Sequence, residues 1–208
     1  VSILAAVKLP LNLSLMVEKS LGLIKTPGLN RPEVEARIIA FLRDRLINLM
    51  VDQGHSRDVV SACAAVSIDD VPLLWKRVEA LSSLKARPDF EPLAVAFKRV
   101  VNIIVQAREK GGLPGESGPA SGLFEKDCEG ALVAAFNSVS RRVDQLLETG
   151  GVEDALLAVA GLRPDIDAFF DGVMVMAPDE KIRKNRLAIL RDIAALFARF
   201  ADFSKIST

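Results

Sequence analysis

The sequence predicts an all-α fold, a bundle of roughly seven to nine helices. Apolar residues recur at intervals of three and four along most of the chain. No stretch alternates with the period of two that is typical of a half-buried strand. Half of the 208 residues are apolar, which is enough for one good-sized core or two small ones.

The first long helix is predicted over residues 32–53. Its apolar positions fall on one face, and Asn30 with Glu33 resembles a capping box. Pro32 suits the first turn of this helix, and Gly54 can end its last turn.

Three more helices are predicted over 56–66, 72–86 and 91–109. Asp69 and Asp70 are candidate N-caps of the second of these, and Pro88 ends it. Residues 111–122 then hold five glycines and two prolines, which predicts a flexible loop. This loop has no GK[ST] or GxGxxG motif and follows no strand, so a phosphate cradle is disfavoured.

Helical patterning resumes at Leu123, breaks at Gly150, and returns over 152–162 and after Pro164. A terminal helix is predicted over 179–203. Its apolar stripe comprises Ile182, Ile189, Ile193, Leu196, Phe197 and Phe200.

The composition near residue 28 predicts a division between connecting helices (1–28) and one helical domain (29–208). The chain begins at Val1 in mid-pattern, so we expect residues 1–28 to continue an upstream part of a longer protein.

Basic and acidic residues balance at 27 each, so binding to nucleic acid or an anionic membrane would require a local patch. Cys63 and Cys128 lie among apolar or small residues, which favours reduced thiols over a disulfide. No apolar run reaches the roughly 18–20 residues that a membrane span needs. We therefore expect a cytoplasmic protein with no membrane partner.

The sequence predicts no catalytic or metal site. His55 is the only histidine, so a histidine-rich metal cluster is excluded. A nucleophilic pair of His55 with Cys63 is possible by spacing, but a surface histidine and a buried cysteine are favoured. Paired carboxylates, such as Asp165 with Asp167, precede helices and are better explained as caps than as an acid and a base.

Four cations fall within six residues at the start of the terminal helix: Lys181, Arg183, Lys184 and Arg186. Such a cluster is either a solvated helix face or a set of phosphate contacts. Lys184 and Arg191 are seven residues apart and are predicted to share one exposed side.

Arg186 instead lies in register with the apolar stripe and therefore needs a partner, for which Asp167 and Asp171 are the candidates. Four phenylalanines could stack on unpaired bases, but their helical spacing favours core packing. They are Phe169, Phe170, Phe200 and Phe203.

Residues 162–206 contain a paired phenylalanine, the phrase VMVMA, an RxNRL phrase and a closing ADFSKI. This order closely resembles the end of the beta subunit of bacterial heterotetrameric glycyl-tRNA synthetases. The stretches FLRDRLINLMVDQG and SGLFEKDCEGAL also resemble segments of that family. The resemblance extends in order over nearly the whole chain.

The resemblance implies a tRNA-binding, helical anticodon-binding domain like that of arginyl-type synthetases. It implies a ligase that attaches glycine to tRNA(Gly) and an alpha2beta2 assembly with the alpha subunit. In that family ATP and glycine react on the alpha subunit, so this chain is expected to hold no cofactor. An alternative is a helical scaffold for subunit assembly with little RNA binding of its own.

Within this framework, the candidates for RNA contacts are Lys181, Arg183, Lys184 and Arg191. Asn185 and Arg186 are structural candidates, because the RxNRL phrase is embedded in the apolar pattern. The loop at 111–122 is expected to be mobile until tRNA or the partner subunit orders it.

Overall fold

The computed structural model describes residues 11–26, 28–110, 112, 115 and 117–207. Within these residues the chain forms nine α-helices and two short 3₁₀ helices, and no strand. The predicted all-α class is confirmed. The α-helices are α1 Leu13–Leu23, α2 Arg31–Asp52, α3 Arg57–Val66, α4 Val71–Lys85, α5 Phe90–Glu109, α6 Asp127–Glu148, α7 Val152–Ala160, α8 Arg163–Gly172 and α9 Glu180–Phe197. The 3₁₀ helices are η1 Ser121–Leu123 and η2 Phe203–Lys205.

Local signals explain most of the helix ends. The Asp70 carboxylate accepts a hydrogen bond from the N–H of Leu73 and caps α4 as predicted. Gly54 has a φ of 98° after α2, a conformation that favours glycine. The predicted capping box at Asn30 is wrong, because its side chain donates to the Glu33 carboxylate at 3.1 Å and binds no backbone N–H of the helix.

Asp69 does not cap α4. Its carboxylate accepts hydrogen bonds from the backbone N–H and the hydroxyl of Ser14, at 3.2 and 2.6 Å. Its carbonyl oxygen accepts from the N–H of Leu13. Asp69 therefore fixes α1 to the turn between α3 and α4. The domain boundary near residue 28 stays a prediction, and residues 1–10 and 27 lie outside the described residues.

The terminal helix is shorter than its apolar pattern predicts. It ends at Phe197, because the N–H groups of Arg199 and Phe200 bond three residues back and tighten the last turn. The N–H of Asp202 then bonds the Ala62 carbonyl at 2.9 Å, which turns the chain toward α3. The pattern continues beyond the helix because Phe200 and Phe203 are still buried.

The core is centred on α5 and α9, which pack against each other. Phe97 of α5 stacks on Phe197 of α9, with ring centroids 3.9 Å apart, and Phe203 meets both rings edge-on. Phe169 and Phe170 are buried on α8. The core-packing interpretation of the phenylalanines is therefore confirmed.

The two cysteines are free, and Cys63 is fully buried. Burial raises the pKa of the Cys63 thiol to about 12, so it stays protonated at neutral pH. The His55 ring, which the spacing allowed to pair with Cys63, instead lies 3.3 Å from the Ser82 hydroxyl. Among the described residues, no group of His, Cys, Asp and Glu side chains could hold a metal ion. No described helix is long and apolar enough to cross a membrane.

Close packing between α6 and α8 depends on Gly172. A Cβ added there would lie 2.7 Å from the Cys128 sulfur. Gly172→Ala is therefore expected to lower the free energy of unfolding by about 1–3 kcal/mol, measured by urea denaturation. In a Cys128→Ala background the same substitution should cost much less, because the sulfur is gone. Equal losses in both backgrounds would contradict this explanation.

Candidate nucleic-acid interface

Helix α9 begins at a well-formed N-cap. The Asp179 carboxylate accepts hydrogen bonds from the N–H groups of Lys181 and Ile182, at 2.8 and 3.1 Å. These donors lower the pKa of Asp179, which keeps it ionised at neutral pH. The cap fixes the direction in which the first turn of α9 presents its cations.

Lys181 and Lys184 are exposed on this first turn. In the described part of the chain, Lys181 has no ion pair. Lys184 lies 2.7 Å from the Glu180 carboxylate, one helical turn earlier. Exposed pairs of this kind contribute little stability, so the Lys184 ammonium can exchange its partner for a phosphate. Both lysines are free to act as phosphate contacts.

Arg183 is less available. Its guanidinium donates to the carbonyl oxygens of Ala177 and Pro178, at 2.8 and 3.2 Å. The side chain therefore holds the turn between α8 and α9, although it retains its charge. Its role as an RNA contact stays a prediction.

The seven-residue spacing predicts that Arg191 and Lys184 share one freely exposed side. The structure contradicts this prediction for Arg191. Its guanidinium pairs with the Asp192 carboxylate at 2.6 Å. It also donates to the carbonyl oxygens of Gly115 and Ser117. The described part of the glycine-rich segment thus covers Arg191, whose side chain is only 22% exposed.

Asn185 binds the glycine-rich segment at Ala120. Its side-chain carbonyl accepts from the N–H of Ala120 at 2.7 Å, and its amide donates to the Ala120 carbonyl at 3.1 Å. Gly115, Ser117 and Ala120 are therefore all fastened to α9. The predicted mobility of 111–122 falls partly on residues 111, 113, 114 and 116, which lie outside the described residues.

Arg186 is buried, but its partners are not the predicted Asp167 and Asp171. Its guanidinium binds the carboxylates of Glu129 and Glu125 at 2.9 and 2.8 Å and the Met174 carbonyl at 2.9 Å. Asp167 instead pairs with Arg163 on its own helix. The two carboxylate partners are 57 and 61 positions away in sequence. They reach Arg186 because α6 packs beside α9.

Glu129 is fully buried, and its carboxylate makes two sets of contacts. One carboxylate oxygen pairs with Arg186, and the other accepts from the N–H groups of Glu125 and Lys126 at the start of α6. These contacts explain why α6 begins at Asp127 rather than at Leu123. Burial alone would raise the pKa of Glu129, but Arg186 and the two N–H donors outweigh it, so the pKa lies below its usual value.

The segment VMVMA alternates between the core and solvent. Val175 and Ala177 are buried, whereas Met174 and Met176 are 68% and 53% exposed. The sequence interpretation missed these two methionines as surface residues on the segment that precedes the lysines. The alternation itself was the signal, because an extended segment points successive side chains to opposite sides.

Other basic residues lie away from this turn. Arg99 of α5 lies over the Phe170 ring, 3.9 Å from its centroid, where it acts as a cation–π partner. Arg141 and Arg142 are exposed on α6, and the Arg141 side chain donates to the Asn137 carbonyl. Among the four residues predicted to contact RNA, the exposed ones are therefore Lys181 and Lys184.

Comparison with known proteins gives one family and several close relatives. Residues 93–207 match the family described as the DALR anticodon binding domain. The chain is 54% identical over 199 residues to the glycine–tRNA ligase beta subunit of Desulfatibacillum aliphaticivorans, and 45% identical over 199 residues to that of Syntrophotalea carbinolica. Each alignment covers 95% of this chain and 28% of the relative. The chain thus spans less than a third of the length of the curated relatives it matches.

Proposed function

The chain belongs to the family of DALR anticodon binding domains, and on that premise we propose that it forms the anticodon-binding part of a glycine–tRNA ligase beta subunit. The observation that carries the proposal is the match over residues 93–207. That range begins within α5 and includes every candidate contact on α9.

The surface at the start of α9 supports this proposal. Single-stranded loops of RNA are bound by contacts to their unstacked bases and by salt-sensitive phosphate contacts. Lys181 and Lys184 supply exposed positive charge, and Met174 and Met176 supply exposed apolar surface on the segment that leads into α9. The anticodon stem-loop of tRNA(Gly) is the RNA that this surface would bind.

In the proposed holoenzyme, the chain positions tRNA and performs no chemistry. ATP and glycine would react on the alpha subunit of a cytoplasmic alpha2beta2 ligase. Binding energy gained at the anticodon would then help to orient the acceptor end at the reacting groups.

One observation favours the alternative function, a scaffold for subunit assembly. Arg183 and Arg191 already satisfy their guanidinium groups with carbonyl oxygens and a carboxylate of the same chain. With a net charge of zero, the chain then relies on two lysines for phosphate contacts.

A binding measurement separates the two functions. Lys181→Ala with Lys184→Ala is expected to weaken binding of a glycine anticodon stem-loop on the order of ten-fold. The slope of log K against log salt concentration should fall by roughly 0.7–0.9 for each phosphate that no longer pairs with a lysine. Lys19→Ala with Lys25→Ala removes the same charge from exposed positions elsewhere and should have little effect. Negligible binding by the unmodified chain, whatever the anticodon, would support the scaffold.

A further inference from the structure

The first half of α2 carries an apolar stripe, the α2 stripe, that consists of Val34, Ile38 and Phe41. These residues recur at intervals of four and three, so they lie on one face of the helix. Together with Arg37 they line one shallow depression. None of the three belongs to the hydrophobic core of the described chain, and Phe41 is 68% exposed. Exposed apolar surface on one helix face is typical of a site where another element packs.

The bundle covers only the second half of α2. The two fully buried residues of this helix, Leu46 and Met50, both lie there, and no residue of α2 before Leu46 is fully buried. The helix packs mainly against α1 and α3. α1 also leaves apolar side chains in solvent, since Leu23 is 83% exposed and Leu15 is 45% exposed. The packing within the described chain therefore leaves the α2 stripe without a partner.

Positive charge flanks the α2 stripe. Arg37 and Arg45 lie about one helical turn before and after Phe41, and both are exposed. Neither arginine forms an ion pair within the part of the chain that the structure describes. Glu33, one turn before Arg37, instead accepts a hydrogen bond from the Asn30 side chain. A segment that presents apolar residues beside carboxylates would complement this face.

The dimensions of the face favour an occupant that belongs to the same polypeptide. From Val34 to Arg45 the face is roughly 16 Å long, and a helix is about 10 Å wide. A stable complex between separate proteins buries roughly 800 Å² on each partner, which is several times more. A tethered segment needs less surface, because the tether raises its effective concentration. More than two thirds of the length of the curated relatives lies outside the part that this chain matches, so a subunit of that length has the sequence to supply such a segment.

We propose that the α2 stripe is an interdomain docking face, covered in the full-length beta subunit by an apolar segment whose carboxylates pair with Arg37 and Arg45. The segment comes from the part of the subunit outside the residues that match this chain. This inference rests on the proposed function, because that function identifies the longer protein. It gives α2 a role other than RNA binding, since α2 lies outside the residues 93–207 that match the anticodon-binding family. Docking would fix the orientation of the helical bundle relative to the rest of the subunit.

The test compares the chain alone with a full-length subunit in which the chain replaces the matched segment of the Desulfatibacillum aliphaticivorans beta subunit. Hydroxyl-radical footprinting with mass spectrometry measures the access of solvent to the Phe41 ring. We expect oxidation of Phe41 to be slower by about five-fold or more in the full-length subunit, because the ring passes from 68% exposure to the burial of an interface core. Met176, which is 53% exposed before α9, is the internal control and should react equally in both proteins.

A pair of arginine substitutions tests the contribution of charge. In the full-length subunit, Arg37→Ala with Arg45→Ala should raise the oxidation rate of Phe41 by about two-fold or more, because two ion pairs with the docked segment are lost. In the chain alone the same substitutions should leave the rate unchanged, since Phe41 is already exposed there. Arg141→Ala with Arg142→Ala, at exposed positions of α6, is the matched control and should change neither rate.

The outcomes separate the docking face from other occupants and from the function on which it rests. Equal oxidation of Phe41 in the chain alone and in the full-length subunit would overturn the proposal. Protection that appears only after addition of the alpha subunit, or that increases with the concentration of the chain alone, would also overturn it, because the occupant would be a separate protein or a second copy. Binding of the anticodon hairpin is an independent readout. If the chain does not bind the hairpin while Phe41 is protected, the proposed function fails and the docking face stands; the reverse result retains the function and rejects the docking face.

Discussion

Replacement of Arg186 by methionine is expected to lower the free energy of unfolding by about 3–5 kcal/mol, measured by urea denaturation at neutral pH. The substitution keeps most of the side-chain volume and removes the charge. It leaves the Glu129 carboxylate fully buried without its cation, and it leaves the Met174 carbonyl without its donor. The cost of an uncompensated buried charge dominates this expected loss.

A double variant separates charge from packing. When Glu129→Met is added to Arg186→Met, much of the lost stability should return, because no charge remains buried. Recovery should be incomplete, since the N–H groups of Glu125 and Lys126 lose their acceptor. Arg183→Met is the matched control: it removes hydrogen bonds to two carbonyls near the surface and should cost far less. Equal losses in the single and double variants would contradict the role of the ion pair.

The pH dependence of stability provides an independent check on the ion pair between Arg186 and Glu129. The pKa of Glu129 is lowered in the folded chain, so its ionised form contributes stability at pH values above its ordinary, unfolded pKa. This contribution is lost as the pH falls through the folded pKa. In Arg186→Met, burial without a cation would raise the pKa of Glu129. Protonation of Glu129 would then remove the buried charge and restore part of the variant's stability. The difference in stability between the two proteins should therefore narrow as the pH is lowered from 7 toward 4.

Local chemistry explains why so many helices could be predicted from the sequence. Asp70, Gly54 and Pro88 act through their own backbone neighbourhood, so they end or begin a helix regardless of the rest of the fold. The start of α4 and the end of α2 were predicted within one residue for this reason. The errors at Asp69 and at the end of α9 fall where tertiary partners decide the outcome. The error at Asn30 is local, because its side chain bonds Glu33 rather than a backbone N–H.

The candidate site shows the same division between features that local sequence determines and features that tertiary packing determines. The clustering of Lys181, Arg183 and Lys184 is a property of the sequence and was predicted. Which of these charges stays available depends on the turn between α8 and α9, and that turn is visible only in three dimensions. Arg186 was correctly expected to need a partner, but periodicity cannot say which carboxylate an adjacent helix brings to it.

The aromatic cluster of Phe97, Phe197 and Phe203 should be the other position of large effect. Phe97 is fully buried, stacks on one ring and meets the other edge-on. Phe97→Ala is therefore expected to cost about 3–5 kcal/mol, from reduced burial and from the cavity left behind. Urea denaturation measures this loss. Val95→Ala, on the exposed face of the same helix, should stay within about 0.5 kcal/mol of the unmodified chain.

Hydrogen exchange identifies which parts of the structure lose stability in Phe97→Ala. Phe97 joins α5 to α9 and to the turn at η2. In Phe97→Ala the amides of residues 198–206 should lose protection more than those of α7, because the cavity lies beneath that turn and α7 packs elsewhere, against α4 and α6. Uniform loss of protection would mean that the bundle opens only as a whole. Selective loss would mean that the ring cluster holds the C-terminal turn in place.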